Sequence, residues 1–253
     1  MEGTGSEEGK VVEEANAFLA RDHSTQPAAF TPDYKTTRLR APSRPLVVIP
    51  NTLTETTGPV FGRDLIGDLD HDLIHNAAAS GEAAIGPRIT VHGRVTDEFG
   101  KGVPGVLVEI WQANAAGRYR HMNDDYLAPV DPNFAGGGRT ITDENGAYAF
   151  LTVKPGAYPW PNDGNSWRPE HIHFSVFGTG FAQRLITQMY FEGDPLIAMC
   201  PIVKAIGDDA AIARLIAPLD MEHATPMDRL AYRFDIVLRG RKSTLFENRL
   251  EGN

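Results

Sequence analysis

The chain has almost no cysteine: Cys200 is the only one in 253 residues. No disulfide can therefore close within the chain, and a reducing cytoplasm is the compartment that fits. Cys200 stands between Met199 and Pro201 in an apolar run and reads as a small buried hydrophobe. A basic excess is also missing. Lys and Arg number 24 against 33 Asp and Glu, for a formal charge of −9, and no basic stripe offers itself to nucleic acid. No apolar run approaches the roughly 18–20 residues of a membrane span. The opening Met-Glu-Gly-Thr-Gly-Ser-Glu-Glu lacks the basic-then-apolar form of a secretory signal. Helical periodicity is scarce. It is confined to residues 7–21, where Val11, Ala15, Phe18 and Leu19 mark one face, and to residues 208–217, with Asp208 as a plausible cap.

Strand patterns fill the rest. Apolar residues make up 42% of the chain, ample for a real core. Alternation starts at Arg88-Ile-Thr-Val-His-Gly-Arg-Val-Thr. A turn at Asp97-Glu-Phe-Gly-Lys-Gly follows, then Val106-Leu-Val-Glu-Ile-Trp111. A second unit runs Arg139-Thr-Ile-Thr, Asp143-Glu-Asn-Gly146 and Ala147 to Val153, and further strands are expected at 171–177, 184–191 and 231–239. Short strands separated by regular turns, with few helices, indicate a mainly β protein: a β-sandwich with long loops. Residues 1–85 read as a short N-terminal helix and an extended, Pro- and Thr-rich arm suited to subunit contact. Residues 86–253 read as the sandwich domain. The arm contains Tyr34 and Arg40, which spacing alone leaves as ordinary arm surface.

One stretch resists a packing-only account: Tyr158-Pro-Trp160 through Trp167-Arg168-Pro-Glu-His171-Ile-His173-Phe. On a strand, residues i and i+2 share a face at ~6.6 Å, so His171 and His173 can turn to one ion while Ile172 points away. Arg168, a permanent cation, comes three residues earlier. By pattern alone, two such histidines are more often surface or satisfied core residues. A cupin-type strand would want a carboxylate soon after the second His, and Phe, Ser, Val, Phe and Gly stand there instead. His71-Asp-Leu-Ile-His75 has helical spacing but lacks the Glu of His-Glu-x-x-His and a nearby third ligand. A long polar loop, Gly117-Arg-Tyr119-Arg-His through Tyr126, interrupts the strands. Such insertions are where sites sit.

Longer blocks carry a resemblance. Thr31-Pro-Asp-Tyr34-Lys, Glu109-Ile-Trp-Gln-Ala-Asn-Ala-Ala-Gly-Arg-Tyr119-Arg-His, Tyr158-Pro-Trp160, Trp167-Arg-Pro-Glu-His171-Ile-His173-Phe, Leu185-Ile-Thr-Gln188-Met-Tyr-Phe and Met199-Cys-Pro-Ile202-Val-Lys occur in order. Together they resemble the intradiol ring-cleaving dioxygenases, in particular the iron-carrying β subunits of the heteromeric members, from about Thr31 to Asn248. The resemblance implies a non-haem Fe(III) ion held by Tyr119, Tyr158, His171 and His173. It implies a catechol substrate and O2, cleavage between the hydroxyl-bearing carbons, and a cis,cis-muconate that retains both oxygen atoms. Tyr158 is implied as the phenolate that takes up a substrate proton, Tyr119 as the one that stays, and Arg168 as the cation that stabilises the electron-rich ring. Tyr34, Trp160, Gln188 and Ile202, with Arg40 more weakly, match positions lining the substrate pocket. A homologous α subunit lacking the ligands is the implied partner.

The chemistry suits the residues. A phenol's free pKa is near 10, so a strongly Lewis-acidic ion is needed to ionise it at neutral pH, and phenolates are hard donors matched to Fe(III). An Fe(II) extradiol or cupin-like site wants two His and a carboxylate, and no carboxylate follows the His171/His173 pair. A non-catalytic β-sandwich binding subunit is the alternative of another class. Two departures bear on the substrate. Pro161 stands where the protocatechuate-cleaving members carry an arginine, and Glu170 replaces a small apolar residue. They leave protocatechuate and another 4-substituted catechol, such as 4-sulfocatechol, both in view.

Overall fold

The computed structural model describes residues 30–35, 66–177, 184–238 and 244. The helix expected over 7–21, Arg40 and most of the arm lie outside them. Among the described residues, eleven strands follow in chain order: β1 (Arg88–Thr96), β2 (Leu107–Trp111), β3 (Gly137–Ile141), β4 (Ala147–Val153), β5 (Tyr158–Pro159), β6 (Trp167–Arg168), β7 (His171–Phe177), β8 (Arg184–Phe191), β9 (Ile216–Ala217), β10 (Leu230–Arg233) and β11 (Ile236–Val237). Two short helices, α1 (Pro201–Lys204) and α2 (Asp209–Ala213), lie between β8 and β9.

The strands form two main sheets. In one, β1 is central: β4 runs antiparallel to it, and β10 and β11 run parallel to it. The other has the order β3-β2-β7-β8-β9. A two-stranded ribbon, β5-β6, stands apart. Both sheets contribute to one core. Ile89, Val91, Val95 and Phe150 come from the first, and Ile110, Ile172, Phe174, Val176, Leu185 and Met189 from the second. Each fully buried side chain of this size contributes about 1.5–3 kcal/mol, so the facing apolar rows hold the sandwich together. The mainly β expectation holds, and no helix of the described residues is long and apolar enough to cross a membrane.

Two local expectations change. The helix expected over 208–217 begins on Asp208, whose carboxylate accepts from Ala211 N at 3.0 Å. It ends at Ala213, because the next residues are recruited by the sheet edge: Tyr190 N donates to Leu215 O (2.8 Å) and Glu192 N to Ala217 O (3.1 Å). Burying Leu215 and Ala217 outweighs one more helical turn. The strand expected over 231–239 is broken between β10 and β11. Phe234 crosses over β1 there, and its carbonyl lies where a Cβ on Gly93 would sit, 1.9 Å away. Only glycine permits that approach.

Candidate active site

The alternation of β7 decides what faces the site. Ile172, Phe174 and Val176 are fully buried in the core, so His171 and His173 must project from the opposite face. Register pairs His171 with Tyr190 and His173 with Gln188 on β8, and His173 with Trp111 on β2. Trp111 stacks flat on His173, ring centroids 4.7 Å apart and planes 3° from parallel. The two imidazoles lie 4.9 Å apart. His171 Nδ1 is 2.6 Å from the Pro169 carbonyl. Nδ1 therefore carries the proton, and Nε2 keeps its lone pair for another partner.

The tyrosines arrive from two other places. Tyr158 lies on β5 opposite Arg168 on β6. Tyr119 lies on the loop after β2, and its backbone N donates to the Asp124 carboxylate at 2.8 Å. Asn114 shapes the start of that loop: its Oδ1 accepts from Ala116 N and Arg118 N, both at 2.9 Å. Backbone meets backbone where the Tyr119 and Tyr158 segments touch. Gly156 N donates to Asn114 O at 3.0 Å. Gly117 sits at φ +80°, with Ala157 O 2.3 Å from where its Cβ would be, and a Cβ on Gly156 would lie 2.6 Å from Gly117 N. These two glycines let the strand-end loops close on each other. As a result Tyr119 and Tyr158 meet edge to face at 5.5 Å, Tyr158 lies 5.5 Å from His171, and Tyr119 lies 6.5 Å from His173. Tyr158 Oη is 3.4 Å from His171 Nε2.

The site is dry and short of hydrogen bonds. Burial, with the neighbouring Tyr158 phenol, pushes the Tyr119 phenol well above its ordinary range. Burial also raises Tyr158, against the pull of Arg168. Burial and the Arg168 charge together depress His171 strongly and bring His173 down to about 3. Both imidazoles are thus neutral, and without a cation both phenols keep their protons. Few buried side-chain polar atoms among the described residues lack a partner, and three of them gather here: Tyr119 Oη, Trp160 Nε1 and Arg168 Nε. Native interiors satisfy such atoms, so this concentration marks a place built for something else to fill. Two phenolic oxygens and two neutral imidazole nitrogens form a donor set that a hard trivalent cation can use.

The surrounding residues connect in a chain. Arg168 is buried; its guanidinium donates to Gln188 Oε1 and lies 5.8 Å from the Trp160 ring. Trp160 in turn meets Tyr34 at 5.2 Å. That part of the arm is fixed to the β5-β6 ribbon: Lys35 N donates to Asn162 Oδ1 and Asn162 Nδ2 to Asp33 O, both at 3.0 Å, while Lys35 Nζ pairs with Asp163 at 2.7 Å. Ile202 packs at the edge of a second cluster that contains Tyr190 and Cys200. Cys200 is buried and free, as its apolar setting predicts. Glu170 turns to Lys154, with which it pairs at 2.5 Å, so its charge is compensated locally. His75 is engaged by Asp72 at 2.7 Å.

Sequence reasoning passed over three contributors: Trp111, Tyr190 and the Pro169 carbonyl. Tyr190 donates to Gln188 Oε1 at 3.0 Å, so Gln188 is held by two donors. Strand register would have found Trp111 and Tyr190, since both sit directly across from a site residue. The Pro169 carbonyl leaves no mark in side-chain identity.

Comparison with known proteins gives the family. The profile described as "Dioxygenase" matches residues 56–240, and the one described as "Protocatechuate 3,4-dioxygenase beta subunit N terminal" matches residues 19–52. The chain belongs to the intradiol dioxygenases, oxidoreductases that use O2. Within that family it is 52% identical over 227 residues to the protocatechuate 3,4-dioxygenase beta chain of Burkholderia cepacia, covering 90% of this chain and 96% of that one. It is also 31% identical to the protocatechuate 3,4-dioxygenase alpha chain of Pseudomonas putida, over 80% of this chain and 98% of the relative. The crystal structure of 3-chlorocatechol 1,2-dioxygenase from Rhodococcus opacus 1CP shares the fold. Its TM-score is 0.51 at 24% identity, over 80% of this chain and 76% of that one.

Proposed function

We propose that this chain is the iron-carrying subunit of an enzyme that opens protocatechuate between its two hydroxyl-bearing carbons to 3-carboxy-cis,cis-muconate. The observation that carries the reading is the meeting of Tyr119, Tyr158, His171 and His173, with Tyr119 Oη buried and without a partner. These four would hold a non-haem ferric ion. When bound, it supplies Lewis acidity that ionises phenols at neutral pH and a template for both catechol oxygens.

The chain's own residues do the remaining work. The Pro169 carbonyl fixes the tautomer of His171, and the flat stack on Trp111 fixes the plane of His173. Burial makes Tyr158 a strong base once ionised, able to accept a catechol proton at Oη. Arg168, held by Gln188 and backed by Trp160, places a fixed positive charge beside the ring as negative charge builds on it. Preorganised donors of this kind are worth roughly 3–4 kcal/mol each. Tyr34 brings the arm against Trp160.

The 52%-identical relative is named a beta chain, and a homologous α subunit is the partner we infer. The substrate's ring substituent is the finer choice. Glu170 is paired with Lys154, so it does not set an uncompensated negative charge against a ring carboxylate. Oxygen consumption by the iron-loaded chain, with and without a co-expressed α subunit, tests the reading. Protocatechuate is expected to be turned over faster than 4-sulfocatechol. Preference for 4-sulfocatechol would move the substrate to the sulfonate, and no oxygen uptake with either catechol in the assembled protein would overturn the proposal.

A further inference from the structure

A second group of ligating side chains lies on the other main sheet. His92 projects from β1, and Asp220 and His223 come from the segment between β9 and β10. Their ligand atoms all lie within 4.8 Å of one another. The imidazoles are 4.3 Å apart, with planes at 30°. None of the three belongs to the iron-site residues or to the chain of contacts around them.

The local backbone presents Asp220 in a defined way. Asp220 N donates to Ala231 O at 2.8 Å, which fastens the segment to β10. Its Oδ1 accepts from Glu222 N at 3.0 Å and His223 N at 3.3 Å. That turn leaves Oδ2 for the two imidazoles: His223 Nδ1 is 2.9 Å away and His92 Nε2 is 3.0 Å away. His92 Nε2 nevertheless makes no hydrogen bond, although it is shielded from water. It faces the Asp220 carboxylate at 3.0 Å, an ion pair only when the imidazole is protonated. A buried nitrogen left this way normally has a partner. A cation seated between the three groups would be reached by His92 Nε2, His223 Nδ1 and Asp220 Oδ2 together. Arg233, a guanidinium whose charge reaches His92, is committed to Asp235 through Nε at 3.0 Å and through its terminal nitrogen at 2.8 Å.

We propose that His92, Asp220 and His223 form a second metal site, separate from the iron centre, that takes a divalent ion of the zinc class. Two imidazoles and one carboxylate suit Zn2+ and its neighbours Co2+ and Ni2+, whereas Mg2+ and Ca2+ want oxygen donors throughout. Three protein donors leave a coordination position for water or an external ligand. The ion would tie β1 to the 218–229 segment, so its binding would raise the stability of the folded chain in proportion to the free metal present.

Calorimetric titration of the full-length, iron-loaded protein with Zn2+ tests this, alongside His223→Ala and Asp220→Asn. His223 is 60% exposed at its side chain, so its replacement leaves the fold intact. The wild type is expected to take up one Zn2+ beyond its iron, with a rise in melting temperature. His223→Ala is expected to weaken that uptake by at least roughly tenfold, since even loss of a group behind a ligand costs this much, while catechol-dependent oxygen uptake stays at the wild-type level. Zn2+ uptake that both variants leave unchanged, or no uptake beyond the iron, would overturn the proposal.

Discussion

Tyr148 and Tyr119 are the same residue type in similarly dry surroundings, and the fold treats them in opposite ways. Tyr148 lies on β4 in the core, 5% exposed, and its hydroxyl donates to the Phe234 carbonyl at 2.5 Å. Burial raises its pKa, and the satisfied hydrogen bond makes the neutral phenol the stable form. Tyr119 is raised for the same reason, but its oxygen has no partner. One phenol closes a packing account and the other leaves it open. A buried tyrosine therefore says little about function until its hydrogen bond is traced. The open one stands beside a second phenol and two neutral imidazoles, where a cation would complete all four.

The contrast can be sharpened by substitution. The largest effect is expected at Arg168, which touches the reacting ring in the proposed reading. Arg168→Gln should lower kcat by on the order of 100- to 1,000-fold, with iron content retained. Steady-state oxygen uptake and metal analysis check both halves. A fall in KM affinity alone would reduce Arg168 to a binding role.

Two glycines give the next comparison. Gly117 and Gly146 both sit at positive φ, +80° and +76°, with backbone where a Cβ would go. Gly117→Ala and Gly146→Ala should each destabilise by about 1–3 kcal/mol, read by chemical denaturation. Only Gly117→Ala should also lose iron, because only Gly117 lies where the Tyr119 and Tyr158 loops meet. Equal iron loss in both would mean that global stability, not loop closure, controls the site.

The smallest effect is expected at one of the two phenols. In iron-free protein, Tyr148→Phe should cost about 1–3 kcal/mol, because the Phe234 carbonyl is left unsatisfied in the core. Tyr119→Phe should cost less than Tyr148→Phe, because it leaves no core carbonyl unsatisfied. Denaturant midpoints of the two variants decide between them. A comparable loss at Tyr119 would show that its hydroxyl is a structural group after all.

Much of this could be read from the chain before its fold was known. Alternation located β1, β2, β4, β7 and β8, and the turn residues at 97–102 and 143–146 marked the end of β1 and the start of β4. The candidate site was legible because His171-x-His173, Arg168 and Tyr158 are close in sequence, while Tyr119 was placed by resemblance and not by spacing. What failed did so for tertiary reasons. Ile216 and Ala217 have helical neighbours but pair with a sheet edge. The strand around Phe234 breaks because Gly93 admits its carbonyl. Trp111 and Tyr190 became visible as site residues only through register, which pairs distant segments. His92, Asp220 and His223 had no sequence signature, since their nearness comes from the parallel pairing of β1 with β10 and the segment preceding it.

The convergence of two phenolates and two imidazoles on one ferric ion is most directly tested by the visible spectrum of the iron-loaded protein and of Tyr119→Phe and Tyr158→Phe. Bound tyrosinate gives charge-transfer absorption and a red-brown protein. The account predicts that colour in the wild type, with the band shifted or weakened in each variant. A wild type that binds iron and stays colourless, or a band that neither substitution alters, would contradict it.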